Sequence, residues 1–326
     1  MKQITANEFK AAIDLDPAWA AKLTEPIEIT DYCDMAGSGI THLSILLSFT
    51  ARDGKGRCAD FSECSNIRVA EGTFSGSVDF SYSGVEKIGD LHITDPDNDG
   101  IAATFDDCEN LKVAEGNFPG YVDFSASGVG KIKDLNIKFP NRYGHAASLS
   151  YCVNLKVAEG IFPGSVDFND SGVEKIGMLE ITGPDREGEA ACFGGCKRLK
   201  VAMGIYHGSV EFGSSGVEMI GDLRITRCDR KGNAASFYNC KNLQVAKGSF
   251  PGSVNFRNAG IKSIGDLEIT VPNKSVEKAN FSGCTELRLP AKFLGPEYVM
   301  EETTRQKNLE RIAAAKAQKH QPNLEI

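Results

Sequence analysis

Ten cysteines and a long series of carboxylates are the residues of this chain that could do chemistry. Six of the cysteines, at 64, 108, 152, 196, 240 and 284, follow one another at intervals of 44 residues. Regularly spaced thiols can form disulfides, bind metal or pack as small hydrophobes. As rungs of a stack, neighbours two coils apart would lie roughly 10 Å from one another, beyond the ~7 Å Cα limit for a bridge. The expectation is therefore reduced, mostly buried thiols and a reducing, cytoplasmic address. Cys192 and Cys196 read as C-x-x-x-C, but strand alternation sends Cys192 outward and Cys196 inward, which argues against a metal pair. The stretch "DPDNDG" (95–100) has the opening of a calcium loop, with Asp106 at the twelfth position. The equivalent "FPNRYG", "PDREG" and "CDRKG" lack the ligands, and a type I turn ending in glycine is the better reading. Paired carboxylates such as Asp106 and Asp123 could serve a glycosidase, yet no cleft, neighbouring basic group or break in the repeat accompanies them. The histidines at 42, 92, 145, 207 and 320 share no repeat position. The chain is thus expected to have no catalytic residues, metal or cofactor.

The elements that carry these residues are written repeatedly. "VDFSYSGV" (78–85) returns as "VDFSASGV", "VDFNDSGV", "VEFGSSGV" and "VNFRNAGI", starting at 122, 166, 210 and 254. Between these blocks sits a second series, from "ADFSECSNI" at 59 and "ATFDDCENL" at 103 to "ANFSGCTEL" at 279. Both share one pattern: a small apolar residue, then an aromatic or Leu two places on, then Cys or Ser, then an aliphatic residue. The aromatic position runs from Phe61 and Phe80 to Phe256 and Phe281, with gaps alternating between 19 and 25 residues and Leu149 as its one aliphatic member. Residues i and i+2 of a strand share a face, so Val78 and Phe80 point inward and Asp79 outward. Eleven short strands follow, one per coil. Glycines at 72, 116, 160, 204 and 248, and at 84, 128, 172, 216 and 260, fit corners that need positive φ or close backbone approach.

These residues carry a resemblance. "VDFSYSGV" and "ATFDDCENL" resemble the L-x-L-x-x-N/C-x-L segment of leucine-rich repeats, and the coil lengths of 19 and 25 lie just below and within the roughly 20–29 residues of that family. "C-x-N-L-K-V-A-E-G" and "V-x-K-I-G" are similar to the bacterial BspA-like class, whose repeats carry F-x-x-C-x-x-L and V-x-x-I-G. Phe stands for Leu on the strand, Ser or Cys for Asn at the turn, and long and short coils alternate strictly. The resemblance implies a leucine-rich-repeat-like, β-rich solenoid over about residues 27–290, and a scaffold that recognises other proteins. The array would have about twelve coils and be roughly 55–60 Å long at ~4.8 Å per coil.

Two rival solenoids are weighed against it. Pentapeptide repeats need their motif every five residues. A parallel β-helix of the carbohydrate-active kind is closer, because "DLHIT", "DLNIK", "MLEIT", "DLRIT" and "DLEIT" (90–94 to 266–270) could be a second strand stack. The ends must hide the open faces of any such stack. Residues 1–25, with Phe9, Ile13 and Trp19, read as a helical N-terminal cap, 26–290 as the solenoid, and 291–326 as a C-terminal helix followed by a frayed "QPNLEI".

The outward positions are the candidate binding surface: Asp60, Asp79, Asp123, Asp167 and Glu211 on the strands, then Glu63, Asp106, Asp107, Asp170, Tyr82, Tyr151 and Tyr238 beyond them, turning to Arg257 at the far end. An acidic face with interspersed tyrosines suits a basic protein partner. A solvated sheet whose charges alternate only to avoid repulsion is the plainer account. The loops at 95–99, 139–143, 183–187, 227–231 and 271–275 diverge between periods and are the other candidate surface. The formal charge of -8, with 36 Lys+Arg dispersed among 44 Asp+Glu, argues against nucleic acid and acidic membrane. The N-terminus shows no signal-peptide core and no segment reaches the length of a membrane span.

Overall fold

The computed structural model describes residues 1–319; the expectation of a frayed 321–326 tail, and His320, lie outside the described residues. The chain is a parallel β-solenoid of about 14 turns with a short helix at each end. Its front is one thirteen-stranded parallel sheet running from Cys33–Asp34 to Tyr298–Val299, each strand hydrogen-bonded to the strand one coil away. Eleven front strands were expected, so two are additional. They escaped because "CDM" and "YVM" put Met35 and Met300 where the other coils carry the aromatic residue, in register with Phe61 and Phe281.

The return side is also built of strands. Five lie in one sheet from Lys2–Ile4 to Lys87–Ile93. Val113–Phe118 then pairs with Lys131–Ile137, four strands run from Val157–Phe162 to Met219–Ile225, and Val245–Phe250 pairs with Ser263–Ile269. The "DLHIT" series therefore forms a second stack, with Ile93, Ile137 and Ile181 turned into the core.

Between the sheets the aromatic column is dry and ordered. Phe61, Phe80, Phe105 and Phe124 stack at 5.4–5.5 Å, and Phe168, Phe193, Phe212, Phe237, Phe256 and Phe281 at 4.9–5.4 Å, with rings within 13° of parallel. Leu149 separates the two runs. Offset stacking of this kind adds about 0.5–1.5 kcal/mol per pair to the burial itself.

The inward turn position explains the cysteines. Each thiol is unpaired with another sulfur and donates to a carbonyl of the preceding coil: Cys108 Sγ to Phe80 O and Cys152 Sγ to Phe124 O, both at 3.0 Å. The serine of that coil, Ser83 or Ser127, contacts the same sulfur at 3.4–3.5 Å. Cys thus satisfies a buried turn carbonyl of the coil before it, and the buried Ser hydroxyl of that coil is partnered by the same sulfur. Burial pushes the thiols of Cys108, Cys152, Cys196 and Cys284 up to about 11, which leaves them protonated at neutral pH. The two glycine columns divide the work expected of them. Gly116 has φ of 119°, whereas a Cβ on Gly128 would lie 1.9 Å from the Glu109 carbonyl oxygen.

Both ends are closed. Helix α1 (Ala6–Leu15) begins in a capping box between Thr5 and Glu8 and buries Phe9 and Ile13; ahead of it Lys2–Ile4 pairs with Ile27–Ile29. Helix α2 (Glu302–Lys319) buries polar residues instead, Thr304 and Asn308. Asn308 donates to Leu287 O and accepts from Leu289 N, and Arg311 donates to Leu289 O at 2.8 Å. These groups occupy backbone positions that another coil would otherwise fill.

Candidate functional site

The outward strand residues form one unbroken register. Asp34, Asp60, Asp79, Thr104, Asp123, Ser148, Asp167, Cys192, Glu211, Ser236, Asn255 and Asn280 are successive partners along the front sheet. The carboxylate and amide side chains among them, however, fold down onto the turn. Asp79 Oδ1 accepts from the Ser81 amide at 2.8 Å, Asp123 Oδ1 from Ser125 N at 2.9 Å, and Asp167 Oδ1 from Asn169 N at 2.8 Å. Asp60 does the same for Ser62, Glu211 for Gly213 and Asn255 for Arg257. All are half-buried. This column is first a set of side-chain caps that complete each turn.

The remaining candidates fall into two further columns. Asp106, Tyr238 and Arg257 stand two residues past the strand, while Glu63, Tyr82, Asp107, Tyr151 and Asp170 stand three past it. The latter five all have left-handed backbone, with φ of 52–58°. A left-handed residue turns its N–H toward the next coil. Tyr82 N donates to Asp106 O and Tyr151 N to Asn169 O, each at 2.8 Å, so the inter-coil ladder continues around the corner. Of this left-handed column Glu63, Tyr82, Tyr151 and Asp170 are exposed and Asp107 is half-buried; Tyr238 and Arg257, in the column before it, are exposed as well. Tyr82 hydrogen-bonds Asp107 across the coils, which raises its phenol above its usual pKa.

Charge is concentrated in two places. Around Asp106, burial and then the carboxylates of Asp123, Asp107 and Asp79 push the acid up to about 6. Farther along, burial and then Asp185, Glu211, Asp167 and Asp229 push Glu189 up to about 7. Glu189 is absent from the sequence-derived surface. Front strands such as Glu189–Cys192 bury both middle alanines, and the register slips between Glu189 and Ala191 against Ser209 and Val210. That bulge turns the first residue outward as well as the last. The doubled small residues in "CAD", "AAT", "AAS" and "AAC" are the signal that marks it. Glu189, Glu211, Asp229, Asn233, Asn255 and Asn273 line a polar groove of about 280 Å³ on this face.

The divergent loops stack into a ridge beside the sheet. In each, an Asp or Asn accepts two amides; Asp97 Oδ1 takes those of Asp99 and Ile101 at 2.9 Å. The other two carboxylates of "DPDNDG" pair elsewhere, Asp95 with Arg52 at 2.5 Å and Asp99 with Arg142 at 2.6 Å. The three are committed to the turn and to neighbouring loops. Among the described residues no cluster of three or more His, Cys, Asp or Glu is arranged to hold a metal ion, and no helix is long and apolar enough to cross a membrane.

The molecule these features define is a parallel β-solenoid with a polar, carboxylate-rich front. Comparison with protein families, curated proteins and solved structures finds no match to the chain.

Proposed function

We propose that the chain is a leucine-rich-repeat solenoid of the bacterial BspA-like type, built on a 44-residue period of alternating 19- and 25-residue coils, and that it acts without catalysis as a cytoplasmic protein-interaction module. The partner is basic, and it meets the acidic, tyrosine-bearing turn edge of the front sheet. The observation that carries this reading is the left-handed column. It holds Glu63, Tyr82, Tyr151 and Asp170 exposed on a hydrogen-bonded, regularly spaced edge, so little backbone freedom is lost on binding. Tyrosines supply contact area and the carboxylates steer a cationic surface.

The test is affinity capture from cell extract with the intact chain, alongside a variant carrying Glu63→Asn, Asp107→Asn and Asp170→Asn. Asn tolerates left-handed backbone, so charge is removed without strain. A partner captured by the wild type, weakened by salt and lost with the variant supports the reading. Capture indifferent to both salt and the variant would exclude the acidic edge.

A second reading, a glycan-binding or polysaccharide-active solenoid, is favoured by the groove around Glu189 and Glu211. It combines amide side chains with two carboxylates, both raised by burial, and such pairs suit sugar hydroxyls and acid–base work. Glycan binding or release of reducing ends that disappears in Glu189→Gln would favour it over the first.

A further inference from the structure

The loop ridge beside the front sheet carries a charge pattern that its turns do not require. The residue after each turn-capping Asp or Asn is Gly54, Asn98, Arg142, Arg186, Arg230 and Lys274 in successive periods. Gly54 and Asn98 show that the turn closes without a cation, yet the last four loops all carry one. The next column, by contrast, runs Tyr143, Glu187, Lys231 and Ser275 over the same loops. All four cations are exposed. Their amides donate to Asp99 O, Tyr143 O, Glu187 O and Lys231 O of the loop before, at 2.9–3.0 Å, so the row is hydrogen-bonded from loop to loop. Tyr143 makes a cation–π contact to each of the first two, with the guanidinium carbons of Arg142 and Arg186 at 4.8 and 5.4 Å from its ring centre. Arg142 pairs with Asp99 at 2.6 Å and Arg230 with Glu187 at 3.9 Å. Such exposed pairs are worth little and can be exchanged for a ligand's carboxylate. Among the described residues Arg186 and Lys274 make no ion pair.

We propose that this row, from Arg142 to Lys274, binds an extended acidic polypeptide in the polyproline II conformation, a partner with a carboxylate at every third residue. The surface lies at the opposite end of the front strands from the tyrosine-bearing turn edge and is independent of it. Spacing and charge together select the occupant. Cations two coils apart stand about 9.6 Å from one another at ~4.8 Å per coil. A polyproline II chain returns the same face every third residue, about 9.3 Å along its axis at ~3.1 Å per residue. Over the row's three intervals the two series drift apart by only about 1 Å. A β-strand sets same-face residues about 6.6 Å apart at ~3.3 Å per residue and falls out of step at the first interval. Nucleic acid, with a phosphate every ~3.4 Å along each duplex strand, leaves most of its charge unmatched. The polyproline II backbone is also fully solvated, so a ridge of loop tips that offers side chains and no free sheet edge suits it.

The experiment is fluorescence anisotropy of labelled synthetic peptides, with the full chain titrated to about 500 µM because exposed ion pairs are individually weak. One peptide has four repeats of Pro-Pro-Glu; the other has the same composition with its four glutamates together. The wild type is expected to bind the repeat peptide at least fivefold tighter than the other, with affinity falling between low and physiological salt. The combined variant Arg186→Asn, Arg230→Asn, Lys274→Asn is expected to bind it at least fivefold more weakly with the same thermal melt, since Asn98 already fills this position in an earlier loop. No binding by the wild type overturns the proposal, as does equal affinity for the two peptides or binding that persists in the variant. Oligothymidylate or polygalacturonate that displaces the repeat peptide at a lower concentration of charge would overturn it too, and would assign the row to a nucleic acid or a polysaccharide.

Discussion

The Asn308 side-chain oxygen lies 2.8 Å from the Leu289 amide nitrogen, and its amide donates to Leu287 O at 3.0 Å and to Thr304 O at 2.9 Å. One buried side chain thus stands in for the backbone of a missing coil. Asn308→Leu keeps the volume but orphans the Leu289 N–H and the Leu287 carbonyl. The expected cost is about 2 kcal/mol, confined to the C-terminal end because a stack is held by nearest neighbours. Hydrogen exchange should show α2 and Leu289 opening while amides near Phe124 stay protected; uniform loss of protection would contradict this.

Val276 has φ of 66° in the position that Gly56, Gly100, Gly144, Gly188 and Gly232 occupy in the earlier loops. A β-branched residue is strained in that region, and Val276 is 69% exposed, so its side chain has little packing to lose. Val276→Gly should raise stability by about 1 kcal/mol, read as a higher denaturation midpoint. No change would mean that the loop relaxes freely.

Asp79→Ala, Asp123→Ala and Asp167→Ala each remove a turn cap and are expected to lower stability by about 1 kcal/mol apiece. The triple variant of Glu63, Asp107 and Asp170 to Asn should leave the melting temperature unchanged. Equal melts for the two sets would show that the strand carboxylates do not hold their turns.

Glu189 provides a pH signature. Its folded pKa of about 7 lies above the ordinary 4.5, so the folded state binds the extra proton. Stability from this group is complete below the ordinary pKa and is lost as pH rises through about 7. Glu189→Gln should therefore be nearly neutral at about pH 4 and stabilising by on the order of 1 kcal/mol at about pH 8. Thermal melts across that range test it, and a benefit that grows toward acid would reverse the assignment.

The stacked architecture was legible because each coil repeats its burial pattern. Inward Val and Phe, the Cys or Ser at the turn and the corner glycines each answer a demand that recurs once per coil. The ends were less so: Met35 and Met300 do the work of phenylalanine without looking like it, and Lys2–Ile4 is a strand only because Ile27–Ile29 pairs with it. The candidate surface was legible as an order of residues and not as a set of roles. Alternation places Asp79 outward but does not show its carboxylate bent onto the Ser81 amide. The left-handed turns that expose Tyr82 and Tyr151 depend on partners one coil away. Glu189 was hidden because a bulge breaks the two-residue period on which the outward assignment rests.

Among the described residues, the hydrogen bonds that tie coil to coil and loop to loop join partners close along the chain; the longest, Asn98 Nδ2 to Gly54 O, spans 44 residues. Such a molecule has low contact order for an all-β protein, and little loop-closure entropy opposes each step. A coil has all the neighbours it needs once the next one or two have been made. The thread can therefore be wound as it leaves the ribosome, turn upon turn, with only the most recent edge open to misassociation until α2 arrives.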